Sequence, residues 1–245
     1  MTNHPALAIG VDGCRGGWFW TAIEGDAATC GVVQQLADLL SIFDADRILV
    51  DIPIGLTSRQ GGTRVCDALA RKRLGRRSSS VFTPPCREAL AADSYSSACD
   101  INEAVTGKRL SKQCWGIVPK IREADQVMRV SKNARGRIRE SHPELCFAAL
   151  AHGVPMQFNK KSAAGFQERA GLLRSIRGNS DDTIASAMSA ISRSIAARDD
   201  IVDSLVLAVV AAMPDQHLES LSAEPTRDVH GLPMEVVLPS ASKSS

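Results

Sequence analysis

Aromatic residues are scarce in this chain of 245 residues, with three Trp, one Tyr and six Phe beside 44% apolar and 23% charged positions. That balance fits an ordinary α/β protein with one large domain, or one domain carrying an insertion. Long apolar runs are missing as well. The longest, Leu205 to Met213, has nine residues, against the roughly 18 or more that a membrane span requires, so no transmembrane helix is expected. The opening MTNHPALAIGVDG has no basic stretch and reaches Asp12 before the apolar part of a secretory signal could form; a cytoplasmic location is expected. The cysteines at 14, 30, 66, 86, 99, 114 and 146 include no C-x-x-C pair and no histidine at ligand spacing. Buried free thiols are expected rather than a zinc site or a disulfide framework. No G-x-x-x-x-G-K-[ST] loop occurs, and the glycines of G-V-D-G-C-R-G-G, at 10, 13, 16 and 17, do not fit the dinucleotide fingerprint. An excess of one charge is also lacking. With 29 basic and 27 acidic residues, a net charge of +2 calls by itself for neither nucleic acid nor a membrane.

What is present is unevenly placed. Residues 59–77 hold seven basic residues against one acid, and residues 108–139 hold ten against two, whereas 181–228 holds nine acids against three bases. The apolar run ALAIGVD at 6–12 and the alternating W-F-W-T-A-I predict a β-hairpin with Asp12 near its start and with Trp18 and Trp20 on one face. A third strand is expected over Cys30–Val33 and a helix over 34–43, where Leu36, Leu39, Leu40 and Phe43 recur at helical spacing. R-I-L-V-D-I-P at 47–53 reads as a buried strand that Pro53 brings to a stop. From 57 to about 135 the chain is basic, with helical patterns at 64–74 and 119–132, and reads as a helical insertion or cap. Period-two alternation over 136–145 predicts a strand with Ile138, Glu140 and His142 on one face. Helices are expected at 182–196 and 199–213, the second with Asp199 and Asp200 in its first turn. Residues 1–238 read as a single domain and 239–245 as a disordered tail.

Five acids sit among apolar neighbours or at the ends of core elements: Asp12, Asp51, Glu140, and Asp200 with Asp203 on the last strong helix. Burying an unpaired carboxylate is expensive, so several together call for basic partners or a metal. Two carboxylates from neighbouring strands facing a third from a helix make a hard oxygen site suited to Mg²⁺ or Mn²⁺. A strand, one acid and a glycine turn equally describe the phosphate-binding hairpin of actin-like kinases, so the hairpin alone does not separate the two.

Longer motifs add to this. G-V-D-G-C-R-G-G-W at 10–18, V-D-I-P-I-G-L at 50–56, R-x-C-D-x-x-A-R at 64–71, S-S-V-F at 79–82 and P-C-R at 85–87 occur in that order. T-G-K-x-L-S-x-Q at 106–113, I-V-P-K-I-x-E at 117–123, E-S-H-P-E at 140–144 and G-L-P-M-E at 231–235 follow. Together they resemble the domain of unknown function 429 family, described as predicted nucleases of ribonuclease H-like fold. The one departure is D-S-L at 203–205, where D-A-L is usual.

The resemblance implies an α/β fold with a five-stranded mixed sheet, three antiparallel strands first, and helices on both faces. It also implies a metal-dependent phosphodiester hydrolase in which Asp12, Asp51 and Asp203 hold two divalent ions, Mg²⁺ or Mn²⁺, with Asp200 or Glu140 assisting. The implied partner is nucleic acid. Arg64, Arg71, Arg76, Arg77, Arg87, Lys108, Lys112 and Lys120 of the insertion are candidates for its phosphates, with Gln113 and Trp115 beside them and His142 as a proton shuttle. A homodimer is compatible with the strand edges. The alternatives are a non-catalytic nucleic-acid-binding protein of the same fold and an actin-like small-molecule phosphotransferase.

Overall fold

The computed structural model describes residues 6–240. Strands β1 (Leu7–Cys14), β2 (Gly17–Glu24) and β3 (Ala27–Val33) form an antiparallel meander, and β4 (Arg47–Val50) and β5 (Ile138–Glu140) join parallel to β1. The spatial order is β3-β2-β1-β4-β5, an arrangement consistent with the ribonuclease H-like fold. Register pairs Asp12 with Phe19 and Val11 with Val50.

Strand alternation divides the core into two layers. Ile9, Val11, Trp18, Ala22, Ile48 and Val50 face α1 (Asp38–Ile42) and α4 (Lys112–Val130), whose Val118, Ile121, Ala124 and Met128 complete that layer. Ala8, Phe19, Ile23 and Leu49 face the other way, onto α9 (Arg198–Ala211), α6 (Pro143–Leu150), α7 (Ala163–Ile176) and α8 (Ser180–Ala190). Helix α9 is the central column of this second layer. Every residue from Ile201 to Ala211 is buried, because the sheet covers one side and three helices cover the others, which is why its sequence is apolar all round.

The contact of α9 with β1 depends on one glycine. A Cβ on Gly10 would lie 2.1 Å from the Ser204 carbonyl oxygen and 2.2 Å from the Ala208 nitrogen, so only glycine lets helix and strand backbones meet here. Ser204, the departure noted in the sequence, uses this closeness: its hydroxyl donates to the Gly10 carbonyl at 2.9 Å and lies 2.9 Å from Thr21 Oγ1.

Several element boundaries differ from the sequence reading. Only Asp38–Ile42 is helical in 34–43; the chain before it turns through backbone hydrogen bonds such as Leu39 to Leu36. Helix α4 starts seven residues before 119, capped by Ser111, and carries Pro119 within it. Because α4 packs on the sheet, the basic segment between β4 and β5 supplies part of the core as well as α2 (Val65–Leu74), α3 (Tyr95–Thr106) and α5 (Lys132–Arg137). Strand β5 ends at Glu140, and His142 is the N-cap of α6 rather than a strand residue. Pro239 closes β9 (Val237–Pro239), which pairs with β6 (Leu218–Ser220), while β7 (Thr226–Arg227) pairs with β8 (Pro233–Met234). Residues 241–245 of the expected tail lie outside the described residues. The cysteines are all free, six buried and Cys30 half-buried. Among the described residues no helix is long and apolar enough to cross a membrane.

Candidate functional site

Asp12 ends the apolar part of β1 on the α9 face, as its pairing with Phe19 requires. Asp51 follows the last residue of β4, and its N–H donates to the Val11 carbonyl at 2.9 Å, so the two acids sit at the carboxyl ends of adjacent parallel strands. The Gly10 contact brings the first turns of α9 against the same strand end, where Asp203 is 1% exposed. Burial first, then Asp51 and Asp203, and more weakly Asp200, hold the Asp12 carboxyl well above its ordinary value against the pull of Lys160. Burial, opposed by Lys160 and reinforced by Asp51 and Glu144, pushes Asp203 up to about 6. The three carboxylates therefore act on one another as a group short of positive charge.

Sequence reasoning missed the cation that answers this shortage. Lys160, from the segment between α6 and α7, places Nζ 2.5 Å from Asp203 Oδ2 and 3.9 Å from Asp199 Oδ2. Although burial alone would lower its pKa, Asp203, Asp12 and Asp51 raise it above the ordinary lysine value, so it stays an ammonium. N-K-K-S at 159–162 carries no spacing signal; only the folded chain shows that one of its lysines turns inward.

The remaining sequence candidates go to different places. Asp200 Oδ2 accepts the Ala197 N–H at 2.7 Å, closing the first turn of α9 beside Asp203. Glu140 lies, by strand alternation, with Ile138 and Val50 toward the opposite face of the sheet from Asp12. There its Oε1 accepts from Arg64 Nη2 at 2.6 Å and its Oε2 from the Ile54 N–H at 2.6 Å. Burial pushes this carboxyl up to about 8 against the pull of Arg64. Arg64 is itself buried and also contacts Asp67 and the Ile54 and Gly55 carbonyls; the R-x-C-D motif thus ties the insertion to the sheet. His142 accepts the Glu144 N–H on Nδ1, and its Nε2 lies 3.3 Å from the Ser80 carbonyl, so both ring nitrogens are engaged within the protein.

Much of the basic insertion is engaged in the same way. Arg77 pairs with Glu144 at 3.2 Å, Arg87 with Asp125 and Asp228, and Arg71 with the Val81 carbonyl and Thr83. Lys120 Nζ donates to the Gly17 carbonyl and lies 4.4 Å from the centre of the Trp18 ring. Trp115 packs against Tyr95. Lys108, Lys112 and Gln113 are exposed, as is Arg76, which reaches only the Pro155 carbonyl at 3.5 Å. Glu144 is a second residue the sequence hid. It is 4% exposed and accepts from Arg169 Nη2 at 2.6 Å, behind Asp203.

Oxygen is the only donor type at the Asp12, Asp51 and Asp203 cluster, which fits a hard dication. Among the described residues no three His, Cys, Asp or Glu side chains are drawn together as a finished ligand set; the Lys160 ammonium lies against the cluster instead.

A family model, described as protein of unknown function (DUF429), matches residues 10–227. No curated protein and no solved structure matches the chain. The chain belongs to the DUF429 family.

Proposed function

We propose that this member of the DUF429 family is a divalent-metal-dependent hydrolase of nucleic-acid phosphodiester bonds, centred on Asp12, Asp51 and Asp203. One observation carries the reading: the buried Asp12 and Asp203 and the half-buried Asp51, from two adjacent strand ends and the helix packed on them, lie close enough to raise one another's charge cost, with more negative charge than Lys160 balances. Asp12, Asp51 and Asp203 would hold Mg²⁺ or Mn²⁺, which when bound polarises a phosphoryl oxygen and makes water a better nucleophile near neutral pH. Asp12, Asp51 and Asp203 are the residues to which the family resemblance gives a pair of divalent ions.

The chain's own groups do the positioning. Gly10 and Ser204 hold α9 against β1 and so set Asp203 beside Asp12. Asp200 fixes the first turn of α9 through the Ala197 N–H. Lys160, kept as an ammonium, offers its free N–H groups to a phosphate oxygen arriving beside Asp203, a fixed positive charge of the kind that stabilises a developing oxyanion. The test is cleavage of labelled DNA and RNA, single- and double-stranded, with Mn²⁺. Wild type is expected to cleave at least one of them and Asp12→Asn to fall to background. Wild-type rates in Asp12→Asn, or binding by wild type with no cleavage of any substrate, would overturn the reading; the second result would favour the non-catalytic binding protein.

A further inference from the structure

A cleft of about 590 Å³ opens beside the acid cluster, between the β1–β2 turn, the start of α7 and the loop before α9. Its wall carries Arg15, Lys161, Arg193 and Arg198, with Lys160, Asp199 and Asp200 at the end that meets the cluster. The four outer cations are exposed. Among the described residues none of them forms a side-chain ion pair or donates a side-chain hydrogen bond, in contrast to Arg64, Arg77 and Arg87 of the basic insertion. Free guanidinium groups are the side chains best matched to phosphate.

The frame that carries them is fixed. The Gly16 N–H donates to the Ile195 carbonyl at 2.9 Å, tying the turn that bears Arg15 to the loop that bears Arg193. A Cβ on Gly16 would stand 2.4 Å from Ile195 Cγ2, so the two segments touch closely. Ser162 caps α7 through the Gly165 N–H at 3.0 Å, next to Lys161. Arg198 lies over the Phe166 ring, 5.5 Å from its centre, and Phe166 lines the cleft and packs on the core behind it, so the ring supports the Arg198 guanidinium at the cleft wall.

We propose that this cleft is the path by which the phosphodiester backbone of a single nucleic-acid strand runs to Asp12 and Asp203, with Arg15, Lys161, Arg193 and Arg198 contacting its phosphates. The assignment rests on the nuclease reading for its direction but moves the strand away from the basic insertion. One strand's backbone fits because the cations line one cleft of about 590 Å³ that leads to the acid cluster, and contacts to phosphates need no base pairing.

The test is binding, measured by fluorescence anisotropy with a fluorescein-labelled single-stranded 20-mer, as DNA and as RNA, in EDTA and over a range of salt. It compares the full-length chain, Arg193→Ala/Arg198→Ala, and Arg76→Ala/Lys108→Ala. The cleft double variant is expected to weaken binding at least about tenfold and to reduce the salt slope by about 1.4, two lost contacts at about 0.7 each on a single strand. The insertion variant is expected to bind within about twofold of wild type. An unchanged affinity and slope in the cleft variant, a loss confined to the insertion variant, or no binding by wild type to either 20-mer would overturn the proposal. Cleavage with Mn²⁺ is scored separately. Cleft-dependent binding without cleavage leaves the cleft standing and defeats the nuclease; cleavage with a KM unaffected by Arg193→Ala/Arg198→Ala defeats the cleft alone.

Discussion

Asp12 is expected to cost the folded chain stability in the metal-free state. Its carboxyl is buried, faces Asp51 and Asp203, and is held well above its ordinary pKa, so removing the charge relieves repulsion. Asp12→Asn is expected to raise stability in chelator by about 0.5–2 kcal/mol, in the range of other stabilising substitutions, which is about 2–4 °C in Tm per kcal/mol for a chain of this size. A calorimetric scan showing a lower Tm would mean that Asp12 has a structural partner. Lys160→Met should do the reverse at pH 7.5, because it strips the cluster of its 2.5 Å ion-pair partner. At this scale Asp12, Asp51 and Asp203 were legible in the sequence, since each interrupts an apolar run. Lys160 and Glu144 were not, because an exposed-looking lysine and a first-turn acid are ordinary at their positions, and only the approach of distant segments makes them neighbours of Asp203.

Two junctions between elements carry the architecture. Where α9 meets β1, Gly10→Ala forces a methyl into backbone atoms 2.1–2.2 Å away; a loss of about 1–3 kcal/mol or more in urea unfolding is expected from the overpacking. Where the insertion meets β5, the buried Arg64–Glu140 pair joins the two. Arg64→Met alone should cost about 3–5 kcal/mol by leaving the buried Glu140 and Asp67 without their guanidinium partner, and adding Glu140→Gln should recover part of it. A double variant no more stable than Arg64→Met would show that the pair is not the source of the loss. Strand pattern made β1, β2 and β4 readable, and the apolar circumference made α9 readable. The period-two signal over 136–145 ran too long because Pro143 turns the chain into α6, leaving His142 as its cap. The short ribbons of β6 with β9 and β7 with β8 offered too few residues for any periodicity. The basic insertion was legible as a charge pattern but not as a packing unit, and α4 shows why: its apolar stripe is buried on the sheet while several of its charges stay outside.

Across the whole molecule the acid cluster sets a pH dependence. Asp203 in the folded chain titrates at about 6 against an ordinary 3.8, so between those values the folded state binds more protons than the unfolded one and stability falls as pH rises. In chelator, wild type is expected to lose stability as pH rises from about 4 to 6.5, and Asp203→Asn to lose less; equal slopes would mean that Asp203 does not contribute. The same excess of negative charge is the reason to expect a dication, and that expectation is tested most directly by Mn²⁺ calorimetry on wild type, Asp12→Asn and Asp203→Asn, each first shown to be folded. Mn²⁺ bound by wild type and a loss of at least about tenfold in affinity in both variants is the predicted result. No Mn²⁺ bound by wild type, or undiminished binding in both variants, would contradict the assignment of this cluster as a metal centre.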